Sequence, residues 1–286
     1  MKYGAHSYLF TPSWNDTQLD VLEHVEELEL DFFEIAIGDD VCFSHRKTRK
    51  EAERLGLELV VSPGGLWPLH CDLSADEKED REEGLRWHCK AIDQAAKLGA
   101  TAYTGALYGH PGVVKRRRPP MDEDLRTSEG LHRLAQYGQE KGVVVVIEPM
   151  SHFRTHIVNT PDQVMRLVRL TDHPNLRVSL DTYHLVTEIT DFREAILTVK
   201  DVLWGMHMCE NNRGVPGEGL IPWPTIFEAL KEIGFDGYML FEAYNSSVDD
   251  FAFERGMFHN VCPDPAVFIG DGMKFLKRGL EEKSEV

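Results

Sequence analysis

Four residues with metal-ligating side chains recur in the second half of the chain at similar intervals. Glu148 closes VVVVIE, Asp181 closes LRVSLD, His207 closes VLWGMH and Glu242 closes YMLFE. Their separations are 33, 26 and 35 residues. Each follows a short apolar run, the pattern of a strand buried on both faces. Neighbouring strands lie about 4.8 Å apart. Four such residues at equivalent places on consecutive strands therefore converge on one point. Three carboxylates gathered there repel one another, and without a cation at least one takes up a proton. A divalent ion removes the conflict. Three carboxylates with one imidazole suit Mn²⁺, with Mg²⁺ or Co²⁺ as alternatives, better than structural zinc, which favours thiolates or more imidazoles. Ordinary strand-end residues would reproduce this pattern only by four separate coincidences.

The elements that must position these side chains read as eight strand–helix units. Strand-like runs fall at 3–10, 31–38, 57–65, 101–109, 143–150, 176–184, 202–211 and 238–245. Each is followed by a segment with apolar residues at three-to-four spacing, the last running over 264–283. Several of these segments close on Lys-Leu-Gly or Glu-Ile-Gly, a helix C-terminal signal. Eight units in 286 residues predict an α/β fold, a (β/α)₈ TIM barrel, as a single domain over 1–286. A doubly wound sheet is the competitor, but no G-x-G-x-x-G follows the first strand. Long connections at 64–74, 108–121, 211–223 and 243–264 fall after strands, on the face where barrels carry their chemistry.

Composition narrows the partners. The chain has 31 basic and 48 acidic side chains, a net charge of −17. That balance repels polyanions and argues against nucleic acid or an anionic membrane as partner. No apolar run approaches the roughly 20 residues needed to span a bilayer. Five scattered cysteines without a C-x-x-C pair indicate a reducing compartment. The N-terminal MKYGAHSYLF is too short and polar for a signal peptide. The expected location is the cytoplasm.

Three segments resemble a known family: IEPMSHFRTHIVNT (147–160), SLDTYH (179–184) and HMCENNRGVPGEGLIPW (207–223). The chain resembles the xylose-isomerase-like sugar isomerase/epimerase superfamily, and most closely the ketose (D-tagatose/D-allulose) 3-epimerases, over its whole length. The family's H-x-x-E-x-N-R-x-x-P-G-x-G-x-I-P-W pattern is met at every fixed position, among them His207, Glu210, Asn212, Arg213 and Trp223. The resemblance implies that Glu148, Asp181, His207 and Glu242 hold a divalent metal and that Glu148 and Glu242 double as the acid/base pair. It implies His184 and Arg213 as contacts to a small sugar near its ketone end. It also implies a homodimer or homotetramer. A merely supporting histidine and a loop-stabilising ion pair remain the other readings of those two residues. Glu210, three residues after His207, is a candidate for orienting a ligand.

The chemistry this implies is proton transfer beside a ketone. Removing the C3 proton leaves an enediolate, whose charge a metal on the C2 and C3 oxygens stabilises. One glutamate takes the proton from one face and the other returns one to the opposite face, inverting C3. The strand 5 ligand is followed by SHFR (151–154), where the family has N-R-F-E. Arg154 thus replaces an acid that meets the ketone end, and His152 replaces the arginine; both are expected at the substrate, with His156 nearby. The charge reversal keeps other reactions open on the same scaffold: a metal-dependent lyase (retro-aldol, decarboxylation or 3-oxo-glycoside cleavage), or an aldose–ketose or inosose isomerase. A non-catalytic sugar-binding barrel would have no reason to keep clustered like charges. VKRRRPP (114–120) is a basic run in an acidic chain, expected as a solvated or subunit-contacting loop. The acidic NSSVDD after strand 8 lacks the backbone donors of a barrel phosphate site, so a non-phosphorylated ketose is expected.

Overall fold

The computed structural model describes residues 1–281. Its strands are β1 (Lys2–His6), β2 (Phe32–Ile37), β3 (Glu58–Pro63), β4 (Ala102–Gly105), β5 (Val144–Ile147), β6 (Leu176–Asp181), β7 (Leu203–His207) and β8 (Tyr238–Phe241). All pair in parallel in sequence order, and β8 returns to β1 through Lys2↔Tyr238 and Tyr3↔Met239, closing the barrel. The helices are α1 (Asp20–Glu27), α2 (His45–Leu55), α3 (Lys78–Leu98), α4 (Glu123–Lys141), α5 (Pro161–Thr171), α6 (Thr182–Leu185), α7 (Phe192–Val199), α8 (Trp223–Glu232), α9 (Phe251–Glu254) and α10 (Pro265–Glu281). The fold is the (β/α)₈ barrel that the strand–helix alternation predicts. No helix among the described residues is long and apolar enough to cross a membrane.

Several strands stop earlier than their apolar runs, and the stops have local causes. The run 3–10 ends at His6 because Ser7–Leu9 turns into a 3₁₀ helix, with His6 Nδ1 accepting the Tyr8 N–H at 3.0 Å. The run 176–184 ends at Asp181, whose carboxylate accepts the Tyr183 N–H at 2.8 Å and caps α6. Helices α3 and α4 end on Gly99 (φ 71°) and Gly142 (φ 73°), left-handed positions that suit a residue without a Cβ. The last predicted helix ran to Lys283; residues 282 and 283 lie outside the described residues.

The barrel interior is layered. Phe32, Val60, Ala102, Val146 and Leu240 form an apolar cluster of their own. Strand side chains alternate with period two. Two residues further along those strands stand Glu34, Ser62, Thr104, Glu148 and Glu242. His6, Asp181 and His207 hold the equivalent places on β1, β6 and β7. Each strand therefore contributes one polar side chain to a layer directly above the apolar plug. The residues between face outward, where Phe33, Ile35, Val61, Tyr103, Val145 and Ile147 join the large core shared with the helices.

One outward contact makes an acid-sensitive point. His88 on α3 is fully buried, with Nδ1 2.9 Å from Tyr103 Oη, and burial pushes its pKa down to about 3. An exposed histidine titrates near 6.5. Between those values the unfolded chain takes up a proton that native His88 refuses, so stability falls as pH falls. The slope is about 1.4 kcal/mol per pH unit. His88→Gln is expected to lose roughly that slope between pH 6 and 4.5, read as urea midpoints. An unchanged slope would show that His88 titrates normally.

Candidate active site

The four strand-end ligands meet over the β5–β8 half of the polar layer. One donor atom from each of Glu148, Asp181, His207 and Glu242 lies within 4.8 Å of all the others. His207 Nδ1 is 2.8 Å from Glu242 Oε2, 3.2 Å from Glu148 Oε1 and 3.9 Å from Asp181 Oδ2. A single imidazole nitrogen cannot donate to three carboxylates at once. Glu148 Oε1, Asp181 Oδ2 and both His207 ring nitrogens are buried without a hydrogen-bond partner. Buried orphan acceptors are costly unless something binds them. This set of lone pairs fits a divalent cation, and these four residues would hold it.

Arg213 is the cation the protein itself brings to the cluster. Its Nη1 lies 2.7 Å from Asp181 Oδ2 and 3.3 Å from Glu242 Oε2, and the guanidinium sits 4.3 Å over the Tyr183 ring. Nη2 is 3.3 Å from His184 Nε2. An arginine only donates, so His184 Nε2 carries the lone pair and Nδ1 the proton, which faces Ser151 Oγ at 3.3 Å. Burial, reinforced by the Arg213 charge, pushes the His184 pKa down to about 3. Burial would raise Glu242, but Arg213 and His207 together hold its carboxyl well below the usual range. At Asp181 burial outweighs the same arginine, and the pKa is raised. Burial opposes the charge on His207, yet Glu148 and Glu242 raise its pKa well above the ordinary value. The layer is a network of mutually compensating charges that excess burial would otherwise neutralise.

The xylose isomerase-like TIM barrel model matches residues 22–278. The chain belongs to this family. A ketose 3-epimerase of Arthrobacter globiformis is 28% identical over 268 residues, 92% of this chain and 91% of that protein. A D-psicose 3-epimerase of Agrobacterium fabrum is 28% identical over 251 residues, 85% of each chain. Among solved structures, a D-psicose 3-epimerase with D-tagatose from Clostridium cellulolyticum H10 superposes with a TM-score of 0.87 at 24% identity, covering 99% of this chain and 100% of that one.

Around this family cluster the structure sorts the remaining expectations. Arg154 lines a cavity of about 90 Å³ whose floor includes Glu148, His207 and Glu242. His152 does not reach it: the side chain is exposed and paired with Glu188 at 2.6 Å. His156 turns the other way, 3.6 Å from the buried Glu123. Glu210 meets none of the four ligands. Its carboxylate accepts the Gly217 N–H at 2.8 Å, the Ile221 N–H at 3.2 Å and Trp223 Nε1 at 2.5 Å, folding the 211–222 loop. Its backbone carbonyl accepts the Arg213 N–H at 2.9 Å. The expectation that it orients a metal ligand is corrected: it holds the turn on which Arg213 sits at φ 64°, a left-handed conformation costly for a side chain of that size. Two residues of the basic run, Lys115 and Arg117, pair with Asp76, which also meets Arg126 of α4.

The β1–β4 half of the layer carries polar cavity-lining side chains that sequence reading missed. Glu34 is buried, 3.7 Å from His6 Nε2, and accepts the Thr104 hydroxyl at 3.1 Å. His6 Nε2 also lies 3.2 Å from Ser62 Oγ. Burial raises Glu34 to about 7 and lowers His6 to about 4. All four line the same cavity. The signal lay in the strand register: Glu34, Ser62 and Thr104 each sit two residues beyond an apolar plug residue, and His6 pairs with Glu34 across β1 and β2.

Proposed function

We propose that the protein is a divalent-metal-dependent epimerase that inverts C3 of a non-phosphorylated ketose. Its enzyme class is that of its relatives, an isomerase acting on carbohydrates. The single observation that carries the C3 reading is the placement of Glu148 and Glu242. They come from β5 and β8 and approach His207 Nδ1 at 3.2 and 2.8 Å, so two carboxylates flank one point on the cavity floor. A divalent ion held by Glu148, Asp181, His207 and Glu242 would polarise the substrate oxygens beside the reacting carbon. Glu242, kept ionised by Arg213 and His207, accepts the C3 proton of one epimer. Glu148 delivers a proton to the opposite face, and the roles exchange for the other epimer. Arg213 donates to the sugar oxygens at the ketone end, and His184, held neutral by burial, accepts from Arg213 Nη2 and keeps the guanidinium in place. Mn²⁺, a cytoplasmic location and a homo-oligomer complete the reading.

The deciding experiment is incubation of a ketose panel in D₂O with NMR detection. The expected result is a pair of C3 epimers with deuterium at C3. Two carbon fragments instead of an epimer pair would convert the enzyme to a lyase, and label at C1 without C3 inversion to an aldose–ketose isomerase.

A further inference from the structure

We propose that the mouth of the cavity is an anion site and that the preferred ketose carries a carboxylate; this names the substrate class of the epimerase read above and rests on it. Arg154, from the loop after β5, and Arg255, beyond α9, line the same cavity of about 90 Å³ as Glu148, His207 and Glu242. Neither guanidinium has an ion-pair partner among the described residues, whereas Lys115 and Arg117 of the neighbouring basic loop pair with Asp76. In a chain of net charge −17, two arginines aimed into one small cavity without acids of their own are a local surplus.

The floor does not use that surplus. The three ligand carboxylates would be balanced by Arg213 and a divalent ion, and burial disfavours charge on the fourth acid, Glu34, which leaves the charge of Arg154 and Arg255 for what enters the cavity. Arg255 is also held in place. Its Nη2 donates to Tyr8 Oη at 2.7 Å and to the Gly64 carbonyl at 2.9 Å, and its plane lies 4.4 Å over the Tyr8 ring. The bonds it makes use Nη2 alone, so Nε and Nη1 remain as donors. Two planar forks match a carboxylate better than they match neutral hydroxyls. A phosphate fits less well. The nearest helix, α9, has only four residues and is preceded by Asp249 and Asp250, which offer negative charge at its start.

The test is calorimetric titration of the Mn²⁺-loaded protein with D-fructose, D-fructuronate and D-fructose 6-phosphate, paired with NMR turnover of each. D-Fructuronate is expected to bind at least about tenfold more tightly than D-fructose, the scale of one charge-assisted contact. Arg154→Gln is expected to erase that preference and Arg154→Lys to keep part of it. The substituted side chain is exposed, so folding is not at stake. Equal affinity for acid and neutral sugar, a preference untouched by Arg154→Gln, or tighter binding of the phosphate ester would each overturn the proposal. Epimerisation of D-fructose without acid preference would overturn it and leave the epimerase standing. Acid-selective binding that depends on Arg154, with no ketose epimerised, would sustain the anion site and sink the epimerase.

Discussion

Glu148→Gln and Glu242→Gln are each expected to lower epimerisation by about 10²–10⁴-fold, the range set by loss of a positioned proton donor or acceptor. Glutamine keeps the shape of the side chain and one oxygen for a metal, so both variants should still bind metal and sugar. What is lost is the exchange of a proton on one face of C3. The remaining carboxylate can still remove and return a proton on its own side. Each variant is therefore expected to wash deuterium from D₂O into one C3 epimer and not the other, with opposite preference in the two variants. The two positions are not electrostatically equal. Glu242 lies 3.3 Å from Arg213 Nη1, so its amide leaves that guanidinium with Asp181 as its remaining acid. NMR of isolated epimers in D₂O checks the split. Near-native epimerisation by either variant, or label entering both epimers equally, would rule out the two-carboxylate mechanism.

Stripping divalent ions is expected to abolish turnover and also to weaken the fold. Three carboxylates and an imidazole crowd within 4.8 Å, and the buried Glu148 Oε1 accepts no hydrogen bond. Arg213 compensates only part of that charge. A ligand at 100 times its Kd adds about 2.7 kcal/mol to stability. In a protein of this size that corresponds to a rise of several degrees in Tm. EDTA treatment should lower the melting temperature accordingly and remove activity. Mn²⁺, Co²⁺ or Mg²⁺ should restore both, and their order of rescue names the preferred ion. Full activity and an unshifted Tm in a rigorously metal-free preparation would refute the role given to the four residues.

The part of the site legible in the sequence was the part announced by strand ends. Glu148, Asp181, His207 and Glu242 each terminate an apolar run, and an acid or imidazole there breaks the pattern visibly. Glu34 and His6 lie inside their runs, where an acid within DFFEIAIG carries no mark of which face it takes. Only pairing in the barrel shows that Glu34 shares a layer with Glu148. Loop residues failed for a different reason. Spacing of three implies a shared face only on a helix. Asp181 and His184 meet that condition across α6, with Nε2 3.8 Å from Oδ2, whereas Glu210 follows His207 onto a turn and points elsewhere. The same ambiguity separated Arg154 from His152: two residues apart in one loop, one faces the cavity and the other faces Glu188.

The pairing of β1 with β8 also dictates an order of assembly during synthesis. Lys2 has no strand on that side until Tyr238 is made, 236 residues later. At translation speeds of about 5–20 residues per second, that wait is on the order of 10–50 s. Throughout it the amino-terminal strand shows an open edge to the crowded nascent chain. Glu242, the fourth ligand, lies immediately beyond the strand that ends the wait. Metal capture and sealing of the sheet thus coincide, and a ribosome-bound fragment that stops short of β8 holds neither the complete ligand set nor a closed ring.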